Sequence, residues 1–179
     1  MDLIIYAHHA GESHNSKVLD FVKGRLRDFE VIDLYADKFN PVMPSATYSD
    51  ENFDSTVKSY QEKISRSSRL IFIFPIWWYN MPAILKGFFD RTFTSGFAFK
   101  FGPAGPEPLL AEKDAVVINT FAGPKEALGM YGNAPVVALD SAILGFCGMP
   151  VKRVNWFNCT EPSELPEELK AQIEAAIKA

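Results

Sequence analysis

Leu70-Ile71-Phe72-Ile73-Phe74-Pro75-Ile76-Trp77-Trp78-Tyr79-Asn80-Met81-Pro82-Ala83-Ile84-Leu85-Lys86-Gly87-Phe88-Phe89 is the stretch whose reading decides the fold. Its first five residues are an unbroken run of β-branched and aromatic side chains. Such a run fits a strand buried on both faces, as in a parallel sheet. Pro75 has no N–H to donate and is expected to end the ladder. Residues 76–80 then form a short loop, Pro82 suits the first turn of a helix, and residues 83–94 carry the helical pattern through Ile84, Leu85, Phe88, Phe89 and Phe93. In open α/β sheets the ligand crevice lies outside the carboxyl ends of the strands. Three aromatics there, Trp77, Trp78 and Tyr79, are what a flat aromatic ligand needs. Clustered aromatics serve a core cap or a subunit interface equally well.

Outward from this centre, strands and helices alternate. Leu3-Ile4-Ile5-Tyr6-Ala7 is the first strand, and a helix follows through Val18, Leu19, Phe21, Val22 and Leu26. Between them lies the polar loop His8-His9-Ala10-Gly11-Glu12-Ser13-His14-Asn15-Ser16. A strand, a polar loop and a helix amino terminus make an anion site, because the first helical N–H groups are unpaired. Ser13, Asn15 and Ser16 add side-chain donors, although Ser or Asn in this place also serves as a plain cap. The loop is neither a Walker P-loop nor GxGxxG, which disfavours a nucleoside triphosphate or a dinucleotide fold of that type. Residues 30–34 are the second strand, 35–52 are polar and irregular, and 54–67 read as a helix capped by Asp54. Glycine and proline over 95–110 predict a long loop, a kind often functional. Residues 115–120 are the fourth strand, followed by Phe121-Ala122-Gly123-Pro124 and a polar segment reaching Tyr131. A helix over 133–148, a fifth strand over 151–157 and a closing helix over 166–179 complete the chain.

Five strands alternating with helices give a parallel sheet covered on both faces, a three-layer α/β sandwich. The order 2-1-3-4-5 brings the loops after strands one, three and four together at the switch point. All 179 residues are expected to form one domain. A net charge of −4 carries no basic footprint for nucleic acid or anionic membranes. The 13% aromatic content favours an apolar ligand or an oligomer interface. Cys147 and Cys159 form no close pair and no metal motif, and two free thiols without a signal peptide predict a cytoplasmic protein. The longest apolar run is interrupted by Pro75, Asn80, Pro82 and Lys86, too early for an integral membrane span.

With these loops in place, the chain resembles the flavodoxin-like NAD(P)H:quinone oxidoreductases, which include animal quinone reductases and ancillary proteins of bacterial potassium-efflux systems. The most specific match runs from Phe74 through Trp77-Trp78-Tyr79-Asn80-Met81-Pro82-Ala83-Ile84-Leu85-Lys86-Gly87 to Asp90-Arg91, and continues at Gly96-Phe97-Ala98. Ala7-His8 with Ser13-His14-Asn15, Leu34-Tyr35 with Phe39 and Pro41, and Thr120-Phe121-Ala122-Gly123 with Met130-Tyr131 match further family stretches. The resemblance implies a flavodoxin-like fold and a bound flavin, FMN in preference to FAD. His8, Ser13, His14, Asn15 and Ser16 would form its phosphate loop. Pro75, Ile76, Trp77, Trp78 and Tyr79 would run along the ring and ribityl chain, and Thr120, Phe121, Ala122 and Gly123 along its other side.

It further implies two-electron hydride transfer from NADH or NADPH to a quinone or similar small aromatic acceptor, with Tyr131 the catalytic hydroxyl, in a homodimer. A nitro or azo reductase, a regulatory partner of a potassium-efflux antiporter and an electron-transfer flavodoxin are the rival readings. The long aromatic loops speak against the last. One departure stands out: the animal enzymes carry a histidine a few residues beyond the matching tyrosine, and Gly132-Asn133-Ala134-Pro135-Val136 has none. The proton relay proposed for those enzymes is therefore absent or replaced. His9 and His14 sit in the first loop, where polar or phosphate contacts suit them better than proton transfer.

Overall fold

The computed structural model describes residues 1–44, 54–161 and 163–178. Five parallel strands form one sheet: β1 (Asp2–Tyr6), β2 (Phe29–Asp33), β3 (Arg69–Pro75), β6 (Asp114–Thr120) and β7 (Val151–Trp156). Two short strands, β4 (Phe99–Gly102) and β5 (Gly105–Pro108), pair antiparallel outside it. The main sheet has the order β2-β1-β3-β6-β7, the expected 2-1-3-4-5 with the hairpin strands left out.

Side-chain alternation sorts the core into two halves, since successive residues of a strand point to opposite faces. Leu3, Ile5, Leu70, Phe72, Phe74, Ala115 and Val117 join the larger cluster. There they meet α2 (Ser55–Arg66) and α3 (Ala83–Thr92) through Val57, Tyr60, Ile64, Leu85, Phe88 and Phe89. Ile4, Tyr6, Ile71, Ile73, Val116 and Ile118 join the other cluster. Their partners are Val18 and Val22 of α1 (His14–Lys23) and Leu169, Ile173 and Ile177 of α6 (Glu167–Lys178). Both faces of β3 are therefore covered, which is why its sequence shows no polar alternation. Among the described residues no helix is long and apolar enough to cross a membrane.

Asp54 caps α2 as expected, its carboxylate accepting the Val57 N–H at 2.9 Å. Pro82 sits at the N-cap of α3. Gly87 of α3 meets Pro41 so closely that a Cβ there would lie 2.3 Å from the proline Cβ and 2.4 Å from its carbonyl oxygen. The glycine of the Leu-Lys-Gly-Phe-Phe sequence is thus demanded by a chain crossing. Arg91, 3% exposed, ties the same region by donating to Asn40 O at 2.5 Å and Asp54 Oδ2 at 2.6 Å.

Four expectations change. Residues 95–110 are not a plain loop, because the β4–β5 hairpin lies within them, with Lys100 and Glu107 paired across it at 3.0 Å. The polar segment before Tyr131 contains α4 (Lys125–Gly129). The helix expected over 133–148 begins as α5 (Ala134–Val136) and continues as a π-helical stretch, Val137–Gly145. Pro75 closes β3, yet the ladder gains one more bond, from Ile76 N–H to Thr120 O at 2.8 Å. Of the irregular segment 35–52, residues 45–52 lie outside the described residues, as do 53, 162 and 179.

Candidate functional site

The carboxyl ends of β1, β3 and β6 are adjacent, so the three loops leaving them meet. Thr120, the last residue of β6, is where they join. Its carbonyl accepts the Ile76 N–H of the second loop, and its hydroxyl accepts from Asn15 Nδ2 of the first at 2.8 Å. Asn15 is 3% exposed, and its Oδ1 has no partner among the described residues.

In the first loop Ser13 caps α1. Ser13 Oγ accepts the Ser16 N–H at 3.1 Å while Ser16 Oγ accepts the Ser13 N–H at 2.8 Å and donates to Ser13 O at 2.8 Å. This is a capping box with serine in the usual Glu/Gln position. Ser16 is fully committed to it, whereas Ser13 Oγ only accepts in it and lies beside the Tyr6 hydroxyl. Ala10 N–H donates to His8 Nδ1 at 3.3 Å, which places the ring proton on Nε2. Burial pushes the His8 imidazole below its ordinary pKa, so the ring is neutral near pH 7. His14 packs edge-on against Trp156, centroids 4.5 Å apart, with its Nε2 3.1 Å from Ser163 Oγ.

The second loop is a tight two-residue turn. Trp77 and Asn80 are bridged by backbone bonds of 2.9 and 3.0 Å, with Trp78 at φ 49° and Tyr79 at φ 56°. Two successive positive φ values are the signature of a type I′ turn, normally Asn-Gly. Here they hold two aromatics, and Trp78 is left 96% exposed.

In the third loop Phe121 N–H donates to Trp156 O at 2.8 Å, and Phe121 O accepts the Cys159 N–H at 3.1 Å. Gly123 O accepts the Asn158 N–H at 3.1 Å. A Cβ on Gly123 would lie 2.7 Å from the Phe121 ring.

Beneath the junction is a polar network. Arg153 of β7 grips both oxygens of Asp140, at 2.8 and 2.5 Å, and donates to Asn119 Oδ1. Asn119 Nδ2 in turn donates to Phe74 O at 3.1 Å. The π-helical stretch that carries Asp140 is thereby tied to the root of the second loop.

The loops enclose a cavity of about 170 Å³. His8, Ser13, His14, Asn15, Pro75, Ile76, Trp77, Thr120 and Ala122 line it. A cleft of about 450 Å³ shares Ser13, His14 and Cys159 with it, and adds Glu12, Lys17, Thr160 and Ser163. Taken together they reach the size of a small-molecule site. Nine of the fifteen expected site residues are on the cavity wall; Ser16, Trp78, Tyr79, Phe121, Gly123 and Tyr131 are not. Tyr79, Phe121 and Tyr131 form an aromatic group of their own. Tyr79 lies edge-on to Tyr131 at 4.5 Å and 5.7 Å from Phe121, and Tyr131 is 60% exposed.

Sequence reasoning missed Cys159, which lies on both cavities. The signal was its place just after the fifth strand, beside the third loop. Its thiol donates to Trp156 O at 3.1 Å, and burial pushes its pKa up to about 11, so it is a neutral wall group.

Residues 3–179 match the family model described as flavodoxin-like fold. The NAD(P)H dehydrogenase [quinone] 1 of Cavia porcellus is 29% identical over 178 residues, covering 83% of this chain and 65% of that protein. The chain thus spans just under two thirds of that relative's length. An FMN-dependent NADH:quinone oxidoreductase of Macrococcus caseolyticus is 29% identical over 170 residues, covering 80% of this chain and 77% of that one. The crystal structure of Smu.1420 from Streptococcus mutans superposes with a TM-score of 0.79 at 32% identity, over 98% of this chain and 95% of that one. Strand order, converging loops and a match over nearly the whole length agree: the chain belongs to the flavodoxin-like-fold family.

Proposed function

We propose that this protein is an FMN-dependent NAD(P)H:quinone oxidoreductase. The observation that carries the reading is the meeting of three loops at Thr120, which joins a helix amino terminus to the second loop on the wall of one cavity. The residues fit a phosphate-bearing flat cofactor. Asn15, a buried amide, and Ser13, the N-cap of α1, both line the cavity at the helix amino terminus. Pro75, Ile76, Trp77 and Ala122 line the same space. The quinone oxidoreductase names of the Cavia and Macrococcus relatives support the same reading.

When bound, the flavin supplies two-electron hydride chemistry between nicotinamide and acceptor. The chain's own residues bind and orient. The first turn of α1, with Ser13 and Asn15, would hold the phosphate. Neutral His8 brings an Nε2 proton to the cavity without placing a second charge there. Trp77 and Ala122 would line the flavin's site, and Tyr79, Phe121 and Tyr131 would offer an apolar surface for a flat acceptor. Tyr131 Oη holds the proton that a quinone oxygen needs, in place of the histidine missing from the following segment.

The same reading includes a homodimer. An apolar cleft of about 360 Å³ lies between α3, the β4–β5 hairpin and the π-helical stretch, lined by Phe89, Phe93, Phe99, Phe101, Ile143 and Phe146. A second copy of the chain would cover it, and sedimentation as a monomer at micromolar concentration would contradict this. Two unpaired cysteines, Cys147 and Cys159, suit a reducing cytoplasm.

The test is steady-state kinetics of FMN-loaded protein with NADH or NADPH and benzoquinone. Parallel double-reciprocal lines, as two substrates alternating in one site give, are the expected result. No quinone-dependent nicotinamide oxidation would overturn the proposal.

A further inference from the structure

The Asn15–Thr120 pair carries an inference that rests on the FMN reading. A side-chain amide has a donor end and an acceptor end of nearly equal size. Here the donor end, Nδ2, is on Thr120 Oγ1 at 2.8 Å. The acceptor end, Oδ1, of this cavity-lining residue is buried without a partner among the described residues. An unsatisfied buried acceptor costs free energy and calls for a partner. A phosphate oxygen cannot be that partner, since it too is an acceptor. Turning the amide over resolves the conflict, because a hydroxyl can donate as well as accept.

We infer that Thr120 is a positioning residue, whose hydroxyl donates to Asn15 Oδ1 and so presents the Asn15 NH2 to the cofactor phosphate. Three further observations support this. Ser16 cannot replace Asn15 as a side-chain donor, since its hydroxyl proton is spent on Ser13 O. Thr120 is 5% exposed and its carbonyl already holds the second loop through Ile76, so its hydroxyl has little freedom to turn elsewhere. Thr120 therefore acts on the phosphate end from the end of β6, through its hydroxyl and Asn15.

The opposite assignment keeps Oδ1 facing the cavity, where it would accept from a hydroxyl of the ribityl chain. The two assignments predict different responses to charge. With NH2 facing the phosphate, Asn15→Asp puts a carboxylate against an anion. With Oδ1 facing a ribityl hydroxyl, Asn15→Asp keeps the acceptor.

The experiment measures dissociation constants of FMN and of riboflavin, which lacks the phosphate, by flavin fluorescence quenching. It compares wild type, Thr120→Ser, Thr120→Val and Asn15→Asp, with a thermal melt of each. The expected result is FMN binding weakened about tenfold in Thr120→Val, as for loss of support to a charge-assisted hydrogen bond. Asn15→Asp should lose on the order of a hundredfold or more. Riboflavin binding should be near wild type throughout, and Thr120→Ser should restore FMN binding. Equal losses of FMN and riboflavin in Thr120→Val, or wild-type FMN affinity in Asn15→Asp, would overturn the assignment. If Asn15→Asp does not fold, the Ser and Val variants decide alone. Wild-type protein that takes up no flavin overturns the cofactor reading and this assignment together. Wild type that binds FMN, with Thr120→Val its equal, overturns the assignment only.

Discussion

Trp77 and Asn80 exchange both of their backbone hydrogen bonds, at 2.9 and 3.0 Å, and so force Trp78 and Tyr79 into the left-handed region. An L-residue there costs about 1–2 kcal/mol, and such strain gathers at functional sites. Trp78 is almost fully exposed and gains nothing from burial in return. Trp78→Gly should therefore raise stability, by about 0.5–1 kcal/mol once glycine's extra chain entropy is subtracted. In a chain of this size that is a melting point higher by about 1–4 °C. Trp78→Ala should show no such gain in melting point. Melts on the two variants check this.

Arg153 and Asp140 are partly buried partners, with 11% and 14% of their side chains exposed. Removing one leaves the other charge without its partner, at about 1–3 kcal/mol. Asp140→Ala should show that loss in urea unfolding. The double variant Asp140→Leu/Arg153→Met should recover a large part of it. Because Arg153 also holds Asn119, both should weaken FMN binding by loosening the root of the second loop.

Gly87→Ala should destabilise the fold even though alanine favours helices. Its Cβ would meet the ring and backbone of Pro41, which cannot swing aside. Overpacking of this kind costs about 1–3 kcal/mol, readable as a lower urea midpoint with an unchanged slope.

Asp54 links stability to acid pH. Partial burial alone would raise its carboxyl. The Val57 N–H and the Arg91 guanidinium outweigh burial and hold it below the ordinary carboxylate range. Its contribution is therefore complete above the unfolded pKa of about 3.9 and is lost as pH falls through the lower folded value. Asp54→Asn should lower the melting point at neutral pH and flatten its fall between about pH 5 and 2. Parallel acid limbs in the two proteins would contradict this.

Much of the fold was legible because both faces of β3 are buried, which leaves Leu70 to Phe74 without a polar residue. The three loops that meet at Thr120 were legible from their places after the first, third and fourth strands of the sheet. Other features left no such mark. Gly102, Gly105, Pro106 and Pro108 read as loop residues, yet an isolated hairpin of four-residue strands tolerates them. A π-helical stretch has no residue signature distinct from an α-helix, so Val137–Gly145 passed as an ordinary helix. The turn at Trp78-Tyr79 was hidden because its residues oppose the conformation they adopt. Ser16 looked like an anion donor because serine at the third helical position is rarely half of a capping box. Asp140 and Arg153 lie on successive elements, and only the packing of the π-helical stretch against β7 brings them together.

The most direct measurement is a visible spectrum of the purified protein with FMN, followed by anaerobic rapid mixing with NADH or NADPH and then with a quinone. The account predicts a yellow protein that bleaches on nicotinamide and regains its colour with one equivalent of quinone. A protein that stays colourless with FMN, or whose colour is indifferent to both substrates, would contradict it.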